Sequence, residues 1–223
     1  AFETGWLSNH TDTTLSQIEA KIHLFDKTRR LVTQTAVTGG GATQKVTHFS
    51  YDARNRLECT AQRMNPAQFG SLTSACTLDT RGSMGPDRVT KNSYDALGRV
   101  TKTVGGYGVM NGGAGNVEIE LGYTANGKIA WRKDGNGNQT SYTYDSYDRP
   151  RRTTFPGGSY EQLSYNSRSF ITQRRKRSGK LINFGYDNAG RMTSTSYSNG
   201  DPTVSYTHDG LGRDLSISKS GST

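Results

Sequence analysis

Tyr144-Asp145, Tyr165-Asn166 and Tyr186-Asp187 stand 21 residues apart, and each opens a block that passes through a turn-forming stretch to an aliphatic position. This fixed period constrains the fold more than any other feature of the chain. It marks a stacked array, in which one supersecondary unit cannot bury its apolar face alone and leans on its neighbours. The block recurs as FDKTRRL from Phe25, YDARNRL from Tyr51, YDALGRV from Tyr94, YTANGKI from Tyr123, YDSYDRP from Tyr144, YNSRSFI from Tyr165, YDNAGRM from Tyr186 and HDGLGRD from His208. The starts differ by 26, 43, 29, 21, 21, 21 and 22 residues, so the array is regular from Tyr123 onward and carries insertions before it.

Each column of the repeat has a physical reading. The aromatic opens the block, and two residues earlier stand Phe49, Leu121, Tyr142, Leu163, Phe184 and Tyr206. Period-two spacing puts both positions on one face of a strand. Tyrosine suits a thin core, since its ring is buried while its hydroxyl finds a partner. The second position is Asp26, Asp52, Asp95, Asp145, Asp187 or Asp209. Three residues later come Gly98, Gly127, Gly190 and Gly212, with Asn55 and Asp148 in the same place. Asp at the start and a left-handed Gly, Asn or Asp at the end is what a type I hairpin turn with a bulge requires. Arg29 and Ser169 fit that place less well, so the first and sixth turns are expected to be distorted.

After the turn an Arg or Lys precedes an aliphatic residue (Leu31, Leu57, Val100, Ile129, Ile171, Met192), which returns to the core while the basic residue faces the other way. A pair between this Arg and a turn Asp, across strands or between repeats, is expected to contribute only about 0 to 1 kcal/mol if exposed. A second turn signal follows 11 to 14 residues after each well-spaced aromatic, as at Gly39-Gly40-Gly41, Pro156-Gly157-Gly158, Ser178-Gly179 and Ser220-Gly221. Two turns per period make each unit a β-hairpin. Hairpins pairing edge to edge give one long antiparallel sheet that twists and coils. Leu15, Ile18 and Ile22 suit a short helix, but Ile18, Ala20, Ile22 and Leu24 alternate as a strand does. The organisation is therefore a lead-in of one or more strands over residues 1–24, then the array over 25–223 with an insertion at about 61–92.

Composition agrees with a thin seam better than with an ordinary core. Hydrophobic residues are 31% of 223, and mean hydropathy is −0.77. Disorder would leave aromatics scarce and unplaced, whereas the 12 Tyr and 7 Phe fall largely at repeat positions. No apolar run approaches the roughly 20 residues of a membrane helix. The net charge of +9 permits attraction to polyanions, but Arg recurs at one repeat position and the excess reads as spread along the array, so no nucleic-acid partner is expected.

Tyr-Asp-x-x-Gly-Arg-aliphatic at a period near 21, as in YDNAGRM, resembles the RHS/YD-repeat family. That family includes bacterial surface and secreted proteins, the shells of toxin complexes, the cores of polymorphic toxins and the animal teneurins. The resemblance covers Phe25 to Arg213 and implies an all-β coiled ribbon of stacked antiparallel hairpins, a segment of a shell or tube wall. It also implies an extracellular or cell-surface location, bacterial in most members. In an exported protein Cys59 and Cys76 are expected to bridge and close the insertion; the alternative is two free buried thiols. The self-cleaving Asp-Pro-x-Gly segment of toxin-releasing members is not carried over, because Asp201-Pro202 is followed by Thr203-Val204 and lies between repeats.

Other candidates for chemistry reduce to turns and loops. His10, His23, His48 and His208 lack metal-ligand spacing, and two Cys are too few for a zinc site. Asp134-Gly135-Asn136-Gly137-Asn138 resembles a calcium loop, but Gln139 and Asp145 stand where Gly and Glu belong. Gly105-Gly106-Tyr107-Gly108 and Gly112-Gly113-Ala114-Gly115 lack the following Lys-Ser/Thr of a phosphate loop. Arg174-Arg175-Lys176-Arg177 reads as a solvated hairpin tip whose members alternate between faces. With no cofactor and no catalytic constellation, the expected role is architectural: a structural segment of a larger shell, tube or fibre, continued by more repeats or by copies of itself. A Tyr/Arg face that binds glycans or a receptor, and the core of a toxin capsule, are the alternatives.

Overall fold

The computed structural model describes residues 20–37 and 42–220. The expected turn at Gly39 to Gly41, most of the lead-in, His10 and Gly221 lie outside the described residues. All strands are antiparallel and their order in the sheet follows the sequence, β1 to β16. Apart from two single 3-10 turns, Pro66–Gln68 and Asn111–Gly113, the described residues contain no helix. The chain divides into two units, Ala1–Leu121 and Gly122–Thr223.

The first unit holds β1 (Ala20–Phe25), β2 (Leu31–Val37), β3 (Thr43–Tyr51), β4 (Leu57–Arg63), β5 (Arg88–Tyr94), β6 (Val100–Gly105) and most of β7 (Asn116–Tyr123). The second holds β8 (Ile129–Asp134), β9 (Gln139–Tyr144), β10 (Pro150–Thr154), β11 (Tyr160–Tyr165), β12 (Ile171–Arg175), β13 (Leu181–Tyr186), β14 (Met192–Tyr197), β15 (Val204–His208) and β16 (Asp214–Lys219). Aromatic, Thr and β-branched residues suit these strands, and each hairpin slips register beside its opening aromatic, as between Ser50 and Tyr51 or Gly185 and Tyr186. Such bulges increase local twist. At Tyr144 the same slip sets Pro150 opposite the aromatic and leaves Arg151 as the extra residue, and a residue without an N–H is tolerated at such a bulge.

Alternation gives the sheet two unlike faces. In β3, Phe49 and Tyr51 share one face, and Val46, His48 and Ser50 share the other. Register carries that second face across Ala61 and Cys59 of β4 to Val89 and Lys91 of β5. The connection from Met64 to Asp87 folds back onto it, while residues 61–63 and 88–92 on either side are strand. Cys59, Ala61, Ala75 and Val89 form a small core with Cys76, Leu78 and Tyr107 against it. Cys59 and Cys76 are joined by a disulfide, with Cα atoms 5.2 Å apart. Cys76 lies mid-loop, so the bridge fastens the connection down onto β4 rather than closing its base.

Arg63 anchors the same connection. Its side chain is fully buried and pairs with Asp87 at 2.7 Å. It also donates to the carbonyls of Thr73, Ser74 and Thr77 and to His48 Nδ1. Burial pushes the Asp87 carboxyl up, but the Asp79 N–H, the Arg63 guanidinium and the Met64 N–H outweigh it and hold the group below its ordinary value. Burial, then the Arg63 charge, lowers His48. A guanidinium out of water is tolerable only when its donors are met. Asp87→Ala therefore costs about 3 to 5 kcal/mol, the penalty for an uncompensated buried charge, whereas Asp79→Ala, whose oxygen stands 4.0 Å from Arg63, costs far less. Urea unfolding of the two variants checks the difference.

Candidate functional site

The feature repeated along the sheet is a lock at each opening turn. Six blocks carry Asp at the second position and Arg four residues on, from Asp26 and Arg30 to Asp209 and Arg213. The Asp N–H donates to the Arg carbonyl at 2.9–3.0 Å, and the N–H of the residue between closes back on the Asp carbonyl at 2.9–3.1 Å. One carboxylate oxygen accepts the Arg N–H at 2.9–3.0 Å. The other takes Nε of the same Arg at 2.6–2.7 Å. Aspartate is the right length for this because its side chain mimics a backbone turn two residues on. Gly98, Gly127, Gly190 and Gly212 have φ of 81–86° and Asn55 and Asp148 have 61–62°, the left-handed conformation the turn demands.

The first and sixth turns are not distorted, contrary to expectation. Arg29 and Ser169 take φ of 61° and 67°, and the hydrogen bonds at Asp26 and Asn166 match those elsewhere. Two backbone bonds and an Asx-type side-chain bond outweigh a left-handed penalty of about 1 to 2 kcal/mol.

The arginine does not face away from the aromatic column either. It bonds within its own turn and also reaches forward: Arg56 Nη1 donates to the Asp95 carbonyl at 3.1 Å and Arg191 Nη1 to that of Asp209 at 2.7 Å. Its guanidinium lies over the next tyrosine, 5.0 Å from the ring centre for Arg30 over Tyr51 and 4.4 Å for Arg56 over Tyr94 and for Arg149 over Tyr165. Lys128 covers Tyr144 in the same way at 5.4 Å. Each tyrosine hydroxyl in turn donates back to the carbonyl after the previous Arg position: Tyr51 to Leu31, Tyr94 to Leu57, Tyr144 to Ile129, Tyr165 to Pro150 and Tyr186 to Ile171, at 2.6–3.0 Å. His208 substitutes, with Nε2 2.8 Å from the Met192 carbonyl. Tyr123 ends β7 at the head of the turn from Thr124 to Lys128.

Two blocks change both members together: in the fourth, Thr124 and Lys128 stand in place of Asp and Arg, and Thr124 Oγ1 accepts the Lys128 N–H at 3.1 Å; the sixth is the other. Asn166 replaces Asp and Phe170 replaces Arg, and Phe170 stacks on Tyr186 with centroids 5.0 Å apart, where a guanidinium lies elsewhere. Asn166 still accepts the turn N–H groups of Arg168 and Phe170 at 3.0 Å. Asp134 is held likewise, accepting from Asn136 and Asn138, so its carboxylate is committed to a turn. Among the described residues no group of three or more His, Cys, Asp or Glu is placed to hold a metal ion, and no helix is long and apolar enough to cross a membrane.

The repeated Asp, Arg and Tyr contacts define an all-β protein of stacked hairpins in which each unit is fastened to the last. The sequence matches the Teneurin YD-shell family over residues 3–219, and the chain belongs to that family. No curated protein matches it. Among solved structures it is similar to TcdB2-TccC3 without its hypervariable C-terminal region, at 16% identity and a TM-score of 0.46, over 91% of this chain and 11% of that one. It is also similar to a chain of the Photorhabdus luminescens Tc holotoxin pore carrying a TccC3 substitution, at 11% identity and a TM-score of 0.37, over 96% of this chain and 16% of that one. The chain thus spans a small part of the proteins it resembles.

Two measurements test the lock. The turn hydrogen bonds hold the carboxyls of Asp52, Asp95, Asp145, Asp187 and Asp209 below their ordinary value of 3.8, chiefly through Arg side-chain bonds at Asp52 and Asp145 and through Arg backbone N–H groups at the others. A lowered folded pKa gives stability that is complete above the unfolded value and lost as pH falls toward the folded one. Thermal melts should therefore hold level above about pH 5 and fall steadily below about pH 4, with a shallower fall in Asp187→Asn. Separately, Ser169→Gly relieves left-handed strain and raises stability by about 0.5 to 1 kcal/mol, while Gly190→Ala, whose Cβ would stand 2.6 Å from the Phe170 ring, lowers it.

Proposed function

We propose that this chain is a non-catalytic wall segment of a larger secreted or cell-surface assembly, a shell, tube or fibre, that extends by adding hairpins at its strand edges. The observation that supports this reading most is Arg213. Its turn is built like the others, yet its side chain is 76% exposed, against 21–35% for Arg30, Arg56, Arg99, Arg149 and Arg191. No aromatic ring lies beneath it among the described residues, and the strand that follows, β16, is exposed throughout, with Leu215 at 67% and Ile217 at 64%. A further hairpin carrying a tyrosine at its head would cover all three. The fitting partner is another YD repeat or a second copy joined head to tail, since unlike edges meeting in sequence build open or closed arrays.

Family membership supports the architectural role, and the six turn aspartates that precede an arginine are each committed to backbone N–H groups and that arginine. A sugar stacked on the tyrosines finds less support, because their hydroxyls are bonded and Arg or Lys covers most of their rings. Sedimentation of the full chain over a range of concentrations tests the edge. Growing species that revert to monomer in Leu215→Lys/Ile217→Lys are expected. A single species at every concentration, unaffected by the lysines, counts against extension through β16.

A further inference from the structure

The positive charge is not spread along the repeats. The column arginines are neutralised by aspartates in their own turns, whereas between Pro150 and Lys180 eight basic residues accompany one acid, Glu161. Alternation sorts them. Arg152 of β10 and Arg175 of β12 both stand opposite Gln162 of β11, on the face away from Leu163, Tyr165, Phe184 and Tyr186. Arg174 and Glu161, 4.0 Å apart, lie on the tyrosine face.

Arg152 and Arg175 hold Tyr160 between them, with guanidinium carbons 3.6 and 3.8 Å from the ring centre. Arg177 lies over Phe155 at 4.6 Å and donates Nε to Ser159. No carboxylate pairs with any of the three among the described residues, and Arg152 Nε is enclosed without a partner. Arg175 also donates Nη1 to the Tyr160 carbonyl at 2.6 Å and to the Lys176 carbonyl at 3.3 Å. Stacking on aromatic faces fixes the planes of the guanidinium groups and leaves Nη2 of Arg175 and the Nη groups of Arg152 and Arg177 to hydrogen-bond an oxyanion. Beside them, register places Ser164, Gln173, Asn183 and Ser196 in one row across β11 to β14. Gln173 Nε2 donates to Asn183 Oδ1 at 2.8 Å. Adjacent members of such a row stand about 4.8 Å apart.

From this juxtaposition we propose that the polar face of β10 to β14 binds a sulfated polysaccharide, with Arg152, Arg175 and Arg177 taking ester sulfates and the Gln162, Gln173 and Asn183 amides taking sugar hydroxyls. Single-stranded nucleic acid fits less well, since it needs open aromatic platforms for its bases and both faces of Tyr160 are covered. This goes beyond the wall reading and is independent of it, because a chain that never assembles can still bind and one that assembles need not.

The test is titration of the full chain with a heparin octasaccharide, with desulfated heparin and a single-stranded DNA oligomer as the other arms. Heparin should bind, and desulfated heparin should not. Arg152→Gln/Arg175→Gln should weaken heparin binding at least about tenfold. Arg174→Gln removes a positive charge from the other face and should weaken it by no more than about threefold, through screened long-range charge alone. Equal losses in the two variants, no heparin binding, or tighter binding of DNA would overturn the proposal. Amide and methyl spectra of the unsubstituted chain give a reading that does not depend on a variant folding. Shifts at the Gln162, Gln173 and Asn183 side chains are expected with heparin, and shifts confined to methyls of Leu163, Ile171 and Met192 would reject this face.

Discussion

Where nothing folds over the sheet, its side chains have nothing to bury against except one another, and the tyrosine at the head of most hairpins answers that constraint. Its ring lies against the cation of the preceding turn and its hydroxyl closes on a carbonyl of the preceding repeat, so a single side chain supplies packing and a hydrogen bond across the join. In the second unit Ile182 and Thr195 are the buried side chains among the described residues, and partial burial prevails elsewhere. A net hydrogen bond contributes about 0.5 to 1.5 kcal/mol and a cation over an aromatic face about 0.5 to 2. Repeated at most joins, such increments do the work that a hydrophobic core does in a globular domain, which is why 31% hydrophobic residues suffice.

The sixth block shows that the lock works as a unit. Once the column residue is Phe170 there is no guanidinium for a carboxylate to meet, and an aspartate would keep its backbone bonds but lose its charge partner. Asn166 retains the acceptor oxygen and drops the charge. The ring of Phe170 then covers Tyr186 as a guanidinium would, exchanging a cation over an aromatic face for a stacked pair. The two substitutions are one physical change, and they keep the neighbouring repeat at the same join.

How much of this was legible follows from how local each signal is. The period, the aromatic positions and the Asp-to-Gly turns could be read because each lies within a few residues and has fixed chemistry. The turns at Arg29 and Ser169 were misjudged because residue preference was weighed without the bonds that over-determine the turn. The direction of the column arginine was misjudged because strand alternation does not survive the bulge beside each tyrosine. The Arg63, Asp87 and His48 cluster carried no signal at all: Arg63 is 15 residues from His48 and 24 from Asp87, and the three meet only when the connection folds back onto β4. The sites that fix the repeat were visible, and the site that fixes the insertion was not.

The distribution of charge follows from the same lock. Were the column arginines the source of the surplus, every join would carry an unpaired cation over its tyrosine, and neighbouring joins would repel along the sheet. Pairing each with an aspartate inside its own turn removes that repulsion while leaving the guanidinium plane free to cover the next ring. A repeat can therefore be lengthened indefinitely without accumulating charge. The surplus that remains lies between Pro150 and Lys180, where no copy of the lock requires it, so it marks a feature of those strands rather than of the architecture.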